Sequence, residues 1–127
     1  MTTLFDRTSI KGMGLANRFV RSATWEGLAA KDGSVTPGLT DKMVELANGG
    51  VGLIITSYTY VSREGQSSSG QMAVYDDRFI PGLAEMAKAV HSVGGRIALQ
   101  LVHGGAFSSA DLTGMEMVGP SAGEKDG

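Results

Sequence analysis

Buried strands and amphipathic helices alternate along this chain, and their order constrains the fold more than any other feature of the sequence. Residues 51–58 form an apolar and β-branched run, which is typical of a strand buried on both faces of a parallel sheet. Shorter runs of the same kind occupy residues 18–22 and 96–101, and a helical pattern fills each interval. The order strand, helix, strand, helix, strand predicts right-handed βαβ units and a parallel α/β fold.

The two predicted helices have clear starts and stops. The first begins after Thr36, a hydroxyl residue followed by proline, and ends at the glycines of residues 48–50. The second is capped by Asp76 or Asp77 and ends at residues 94–95. Each helix has one apolar face, made of Leu39, Met43, Leu46 and Ala47 in the first and of Ile80, Leu83, Ala87 and Val90 in the second.

A small hairpin is predicted before the first strand, with a glycine-containing turn at residues 11–14. Three strands and two helices do not complete a parallel fold, because a (β/α)₈ barrel needs about 250 residues. The 127 residues are therefore expected to be either part of a larger barrel or a small open sheet. An open sheet would expose an edge strand that invites pairing with another chain.

Composition restricts the classes of function. Eleven basic and thirteen acidic residues give a net charge of −2, which offers no electrostatic basis for binding nucleic acid or an anionic membrane. The chain has no cysteine, and its two histidines, His91 and His103, have no carboxylate at ligand spacing, so no metal site is predicted. We find no signal peptide pattern and no membrane-spanning run, and we therefore expect a cytoplasmic protein.

Polar residues with interleaved aromatics follow each predicted strand. Ligand sites of parallel α/β folds lie at the carboxyl ends of the strands, and a flat heteroaromatic cofactor would need amide donors and acceptors there for its ring edge. Gln100 can supply an amide donor and an acceptor to a ring edge, and residues 22–24 can supply backbone groups and hydroxyls. From the residues alone a structural alternative stays open, in which Gln100 caps a strand and Ser22 fills a turn.

Four segments, taken in order, resemble the Old Yellow Enzyme-type NADH:flavin oxidoreductases. Residues 17–24 (N-R-F-V-R-S-A-T) resemble the first-strand motif of that family, and residues 52–58 resemble the second. Residues 97–105 are similar to the third-strand pattern Q-L-x-H-x-G, and residues 118–122 to the A-P-S-A segment that follows it. The similarity covers nearly the whole chain with matching spacing.

The resemblance implies an FMN-dependent ene-reductase, which uses NADH or NADPH to reduce activated C=C bonds of small-molecule alkenes. Residues 1–127 would be the N-terminal part of a single FMN-binding (β/α)₈ TIM-barrel domain, and a homo-oligomer is expected. The residues that the resemblance places at the flavin are Ser22, Ala23, Thr24, Tyr58 and Gln100, with Ser57 as the alternative to its neighbour Tyr58.

The resemblance also assigns a substrate-pocket residue and leaves the catalytic groups out of this chain. The chain departs from many bacterial relatives, which carry a cysteine just after the first strand where Trp25 and Glu26 lie here, and Trp25 would wall the substrate pocket. The family's substrate-binding histidine pair or His/Asn pair, its catalytic tyrosine and its phosphate-binding segment would lie beyond residue 127. No catalytic residue is therefore predicted within the chain.

Two other interpretations remain. A truncated barrel fragment could self-associate and bind no flavin tightly. A serine hydrolase is suggested by His103-Gly104-Gly105, which resembles an esterase oxyanion loop, and by residues 119–123, which fit G-x-S-x-G. That motif needs a strand before Ser121, a helix after it and a later histidine. No histidine follows, so we interpret Ser121 as a loop residue.

Overall fold

The computed structural model describes residues 1–121, and it begins with the predicted hairpin. Strand β1 (Thr8–Ile10) pairs antiparallel with strand β2 (Met13–Leu15). The turn is shorter than predicted. Lys11 and Gly12, with φ of 45° and 89°, form a two-residue turn, and the next two residues already belong to β2. Positive φ at both turn residues matches the right-handed twist of the flanking strands.

The main sheet is parallel, as predicted. Its strands are β3 (Val20–Arg21), β4 (Leu53–Tyr60) and β5 (Ile97–Val102), arranged in the order β3-β4-β5 with both neighbouring pairs parallel. Strands β4 and β5 extend further toward their carboxyl ends than the sequence predicted, and β3 is reduced to two residues. The parallel pairing of β4 with β5 confirms the α/β fold class.

Helix α1 (Pro37–Asn48) begins where the sequence predicts. The Thr36 hydroxyl accepts a hydrogen bond from the Leu39 N–H at 3.2 Å, which satisfies one of the N–H groups that a helix start leaves without a partner. The helix ends at Gly49, and Gly50 takes the left-handed conformation with φ of 86°.

Helix α2 (Ile80–Ser92) is preceded by a single 3₁₀ turn, Asp77–Phe79. Of the two predicted caps, Asp76 is the one that acts, because its carboxylate accepts a hydrogen bond from the Arg78 N–H at 2.9 Å. The bond caps the 3₁₀ turn that leads into α2. Within residues 1–121 no helix is long and apolar enough to cross a membrane.

Both long helices pack together against the sheet and form its apolar core. Met43 from α1, Ile54 from β4 and Val90 from α2 are completely buried in this cluster. Complete burial of an aliphatic side chain stabilises a fold by roughly 1.5–3 kcal/mol, so this layer provides much of the stability of the described residues.

Structure also appears after β5, where the sequence has no periodicity. A 3₁₀ turn, Gly105–Phe107, is followed by the short helix α3 (Ala110–Thr113). A four-residue helix is too short to produce an amphipathic pattern, so sequence analysis could not detect it.

The segments that follow β3 and β4 approach each other so closely that glycine is required. A Cβ at Gly33 would lie 2.4 Å from the Cβ of Ala73, and a Cβ at Gly70 would lie 2.5 Å from the carbonyl oxygen of Gly27. Backbone hydrogen bonds join the same segments, from Ala29 to Gly70 and from Ala73 to Gly33. We call this pair of contacts the loop interlock.

Candidate functional site

Two of the predicted contact residues lie side by side at the carboxyl end of the sheet. Tyr58 in β4 and Gln100 in β5 are direct partners in the parallel register. The predicted segment 22–25 follows β3, the other neighbour of β4. The fold therefore brings all three predicted segments to the carboxyl ends of neighbouring strands, where parallel α/β proteins bind ligands.

A β-bulge sets which residue of β4 faces Gln100. Ile55 of β4 pairs with Ala98 of β5, and the next pair is Tyr58 with Gln100. The interval covers three steps along β4 and two along β5, so β4 has one extra residue there. The Thr56 hydroxyl accepts a hydrogen bond from the Gln100 N–H at 3.2 Å and provides that group with a partner at the bulge. Bulges redirect side chains and are common beside active sites. No pattern in the sequence marks this bulge.

The Gln100 side chain is free to bind a ligand. Its residue is exposed, and its amide makes no hydrogen bond with any other residue of the described chain. A primary amide offers two N–H donors and a carbonyl acceptor, which match the alternating donors and acceptors of the flavin pyrimidine ring. The structural alternative, a side chain that caps its strand, finds no support in the hydrogen bonds of residues 1–121.

Tyr58 is half-buried, and its hydroxyl hydrogen-bonds to the Ser68 hydroxyl at 2.8 Å. The neighbouring Ser57 hydroxyl is buried and has no hydrogen-bond partner among the described residues. Protein atoms therefore cover the Ser57 hydroxyl, whereas the Tyr58 side chain is partly accessible.

Residues 22–25 form an open segment without regular structure. Ser22 and Thr24 are exposed, and the Thr24 hydroxyl donates a hydrogen bond to the Ser22 carbonyl at 3.1 Å. Trp25 is 52% exposed, and its ring lies against Gly27, where a Cβ would come within 3.0 Å of the indole. An exposed indole beside this segment is able to form one wall of a pocket.

Sequence analysis missed an ion pair at this segment. The Arg21 guanidinium lies 2.7 Å from a carboxylate oxygen of Glu26, and the two side chains are only 16% and 6% exposed. Arg21 also donates a long hydrogen bond of 3.4 Å to the Ile55 carbonyl. The two residues are five apart in a loop, a spacing without a periodic pattern, so the sequence alone carried no signal for their contact.

His103 has a structural hydrogen bond. Its Nδ1 atom accepts from the Gly105 N–H at 2.9 Å, and its Nε2 atom lies 3.7 Å from a Glu64 carboxylate oxygen. The Glu64 backbone N–H, the Ser62 hydroxyl and then His103 hold the pKa of Glu64 below its ordinary value. Among residues 1–121, no group of three histidine, aspartate or glutamate side chains is placed to hold a metal ion.

A cavity of about 190 Å³ lies elsewhere among the loops and is lined by Lys31, Arg63 and Arg78, with Tyr60 and Tyr75 as aromatic walls. Burial raises the pKa of Tyr60 above its usual range. None of the predicted flavin contacts lines this cavity. The predicted contacts lie instead along the carboxyl ends of the strands, where Ser22, Thr24 and Gln100 are exposed.

The hydrolase interpretation lacks its required geometry. No strand lies between Thr113 and Ser121, although a nucleophile elbow follows a strand directly. Two predicted motif residues, Ala122 of the A-P-S-A segment and Gly123 of G-x-S-x-G, lie outside the described residues.

Comparison with known proteins assigns the chain to a family. The model of the NADH:flavin oxidoreductase / NADH oxidase family matches residues 3–126. The chain belongs to this family. Membership confirms the resemblance found in the sequence, and it indicates FMN together with NADH or NADPH as the cofactors.

Relatives support the same assignment. The chain is 38% identical over 120 residues to an NADH oxidase of Thermoanaerobacter brockii, covering 93% of this chain and 18% of that protein. It is 35% identical over 120 residues to an NADPH dehydrogenase of Bacillus licheniformis, covering 94% of this chain and 34% of that protein.

Solved structures confirm the fold of this family member. An Old Yellow Enzyme homologue from Zymomonas mobilis superposes with a TM-score of 0.88 at 28% identity, over 99% of this chain and 35% of that one. Morphinone reductase in complex with tetrahydroNAD superposes with a TM-score of 0.86 at 26% identity, over the whole of this chain and 35% of that one. The described residues therefore have the fold of the N-terminal portion of a (β/α)₈ barrel, and the chain spans about a third of these enzymes.

Proposed function

We propose that the protein is an FMN-dependent ene-reductase that uses NADH or NADPH to reduce activated C=C bonds of small-molecule alkenes. In this proposal residues 1–127 are the N-terminal part of a single barrel domain, and the remaining strands complete the site. The observation that carries the proposal is the Gln100 side-chain amide, which makes no hydrogen bond within residues 1–121 and lies in register with Tyr58 at the carboxyl end of the sheet.

Each predicted residue has a role in this proposal. The Gln100 amide would bind the pyrimidine edge of the flavin, with Tyr58 beside it and the backbone of residues 22–24 along the ring. FMN, when bound, supplies the hydride chemistry. Hydrogen bonds from the chain adjust its redox potential, and Trp25 would wall the side of the pocket on which an alkene is held.

The proton donor for the alkene would come from outside this chain. Each of its three tyrosines makes one hydrogen bond through its hydroxyl within residues 1–121. Tyr58 bonds to Ser68, Tyr60 donates to the Asp32 carbonyl at 3.4 Å, and Tyr75 accepts from Arg78 at 2.8 Å. Tyr60 and Tyr75 line the separate cavity, away from the predicted flavin contacts, which supports the expectation that the catalytic tyrosine and the substrate-binding pair belong to later strands.

The test is reduction of 2-cyclohexenone by the purified complete protein with NADH or NADPH. In the absence of oxygen, which would itself reoxidise the reduced flavin, we expect a yellow protein that turns over the nicotinamide only when the alkene is present. A colourless protein to which added FMN does not bind, or a yellow protein that oxidises NAD(P)H without reducing any activated alkene, would contradict the proposed activity.

A second candidate concerns the 127 residues on their own. In the described chain β5 pairs only with β4, so one edge of β5 has free backbone groups, and Leu101 on that strand is 61% exposed. Such an edge favours pairing with another copy. We expect a polypeptide limited to these residues to form oligomers, to bind FMN weakly and to lack alkene reductase activity. Turnover comparable to that of a complete family member would show that the active site has been misplaced.

A further inference from the structure

The buried ion pair of Arg21 and Glu26 lies at the two ends of the segment predicted to contact the flavin. Arg21 is the last residue of β3, and Glu26 directly follows Trp25. The contact of 2.7 Å between them closes a short loop around residues 22–25. The four enclosed residues are those predicted to contact the ring and wall the substrate pocket.

Because both charged side chains are largely removed from water, the closed loop is favoured over open conformations. A charged group that is removed from water is strongly destabilising unless an opposite charge compensates it. The Glu26 side chain is only 6% exposed, and its oxygen nearest Arg21 has no hydrogen-bond donor with good geometry in the described chain. Opening the loop would separate the carboxylate from its compensating charge, so the loop stays closed.

Arg21 also connects the loop to the bulge of β4. Its second guanidinium nitrogen donates to the carbonyl of Ile55, the residue immediately before the bulge that brings Tyr58 opposite Gln100. The planar guanidinium carries several donors in fixed directions, so one side chain can hold two acceptors at once. The Arg21 guanidinium therefore contacts both the loop that holds residues 22–25 and the strand segment that places Tyr58 opposite Gln100.

We propose that Arg21 and Glu26 are positioning residues of the flavin site, whose ion pair holds residues 22–25 at a fixed distance from Tyr58 and Gln100. This inference rests on the proposed function. The pair does not contact the ring in this proposal, and it acts through the segment that it closes and through the bulge.

The experiment uses Glu26→Gln in the complete protein, with the dissociation constant for FMN and the visible circular dichroism of the bound flavin as readouts. Glutamine keeps the shape of the side chain and removes its charge. We expect the dissociation constant to rise about tenfold, equivalent to about 1.4 kcal/mol, and the flavin dichroism to change because the ring contacts shift.

Two further variants separate positioning from general stability. Glu26→Asp keeps the charge and is expected to recover most of the affinity. Glu45→Gln removes the same charge from the exposed Lys42–Glu45 pair of α1, which has a contact distance of 3.1 Å, and is expected to leave both readouts unchanged.

If Glu26→Gln does not fold, Arg21→Lys carries the test, because lysine keeps the charge but cannot hold Glu26 and the Ile55 carbonyl in fixed directions. We expect weaker FMN binding and altered dichroism from this variant as well. Wild-type affinity and dichroism in both Glu26→Gln and Arg21→Lys, or in whichever of the two folds, would overturn the inference. Failure of the wild-type protein to bind FMN would instead refute the proposed function.

Discussion

Between the sheet and helices α1 and α2, Met43, Ile54 and Val90 are completely buried, whereas at the carboxyl ends of the strands Trp25 is 52% exposed and the Gln100 amide has no partner within residues 1–121. The side chains of the first region are fully covered by other residues of the chain. The second region holds polar and aromatic side chains that remain exposed within residues 1–121. Stability and ligand binding are therefore expected to depend on separate sets of residues, and substitutions can test that separation.

The largest expected effect comes from Met43→Ala in the helix-facing core. Removing a completely buried methionine side chain costs about 2–5 kcal/mol of the free energy of unfolding. Chemical denaturation of the complete protein measures this loss. FMN affinity and flavin dichroism should stay at wild-type values in the folded variant. Met115→Ala, at a residue 41% exposed, is the matched control and should change neither quantity. Altered flavin dichroism in Met43→Ala would show that the two regions are coupled.

A smaller effect is expected from Thr56→Val at the bulge, where the two regions meet. Thr56 is 1% exposed, and valine removes the acceptor of the Gln100 N–H while keeping the volume. A buried N–H left without a partner costs about 1–3 kcal/mol, and this part-buried N–H is expected to cost about 1 kcal/mol, at the low end of that range. We expect this variant to lower both the unfolding free energy and the FMN affinity, whereas Thr56→Ser should retain both. A loss of stability without any change in FMN binding would show that the bulge does not help to position the FMN site.

The smallest effect is expected from Gln100→Ala at the exposed strand end. Loss of a side-chain hydrogen bond to the ring should weaken FMN binding by about 1 kcal/mol or shift the flavin potential. Stability without FMN should change by less than about 0.5 kcal/mol, because the side chain makes no hydrogen bond within residues 1–121 that the substitution would remove. Titration with FMN and a redox titration measure the first two quantities. His91→Ala, at an exposed position of α2, is the control, and unchanged affinity and potential in Gln100→Ala would refute its assigned role.

The regular elements could be predicted because each depends on local sequence. The Thr36 cap, the glycine stops and the β-branched run of β4 act over a few residues, and all three predictions are confirmed. The family resemblance came from motifs in matching order, which a single sequence displays directly. The same motifs supplied the predicted flavin contacts, which remain predictions.

The missed features depend on contacts between segments. The bulge at Thr56 reflects one extra residue in β4 relative to β5 between two paired positions. This difference can be seen only when the two strands are paired in the sheet. The Arg21–Glu26 pair forms because the chain turns back after β3, and no periodic spacing marks such a turn. The hairpin turn was predicted two residues too long because Met13 and Gly14 have no strong strand preference, and pairing with β1 decides their conformation.

The loop interlock restricts how the two segments can vary. Gly33 faces Ala73 and Gly70 faces Gly27 at distances that leave no room for a methyl group on either glycine, so the conformation of each segment depends on the other. A side chain introduced at Gly33 or Gly70 alone would therefore force the unchanged partner segment to move. Grafting both segments together from one relative preserves the fit, so the pair is the smallest unit that can be exchanged at this end of the sheet.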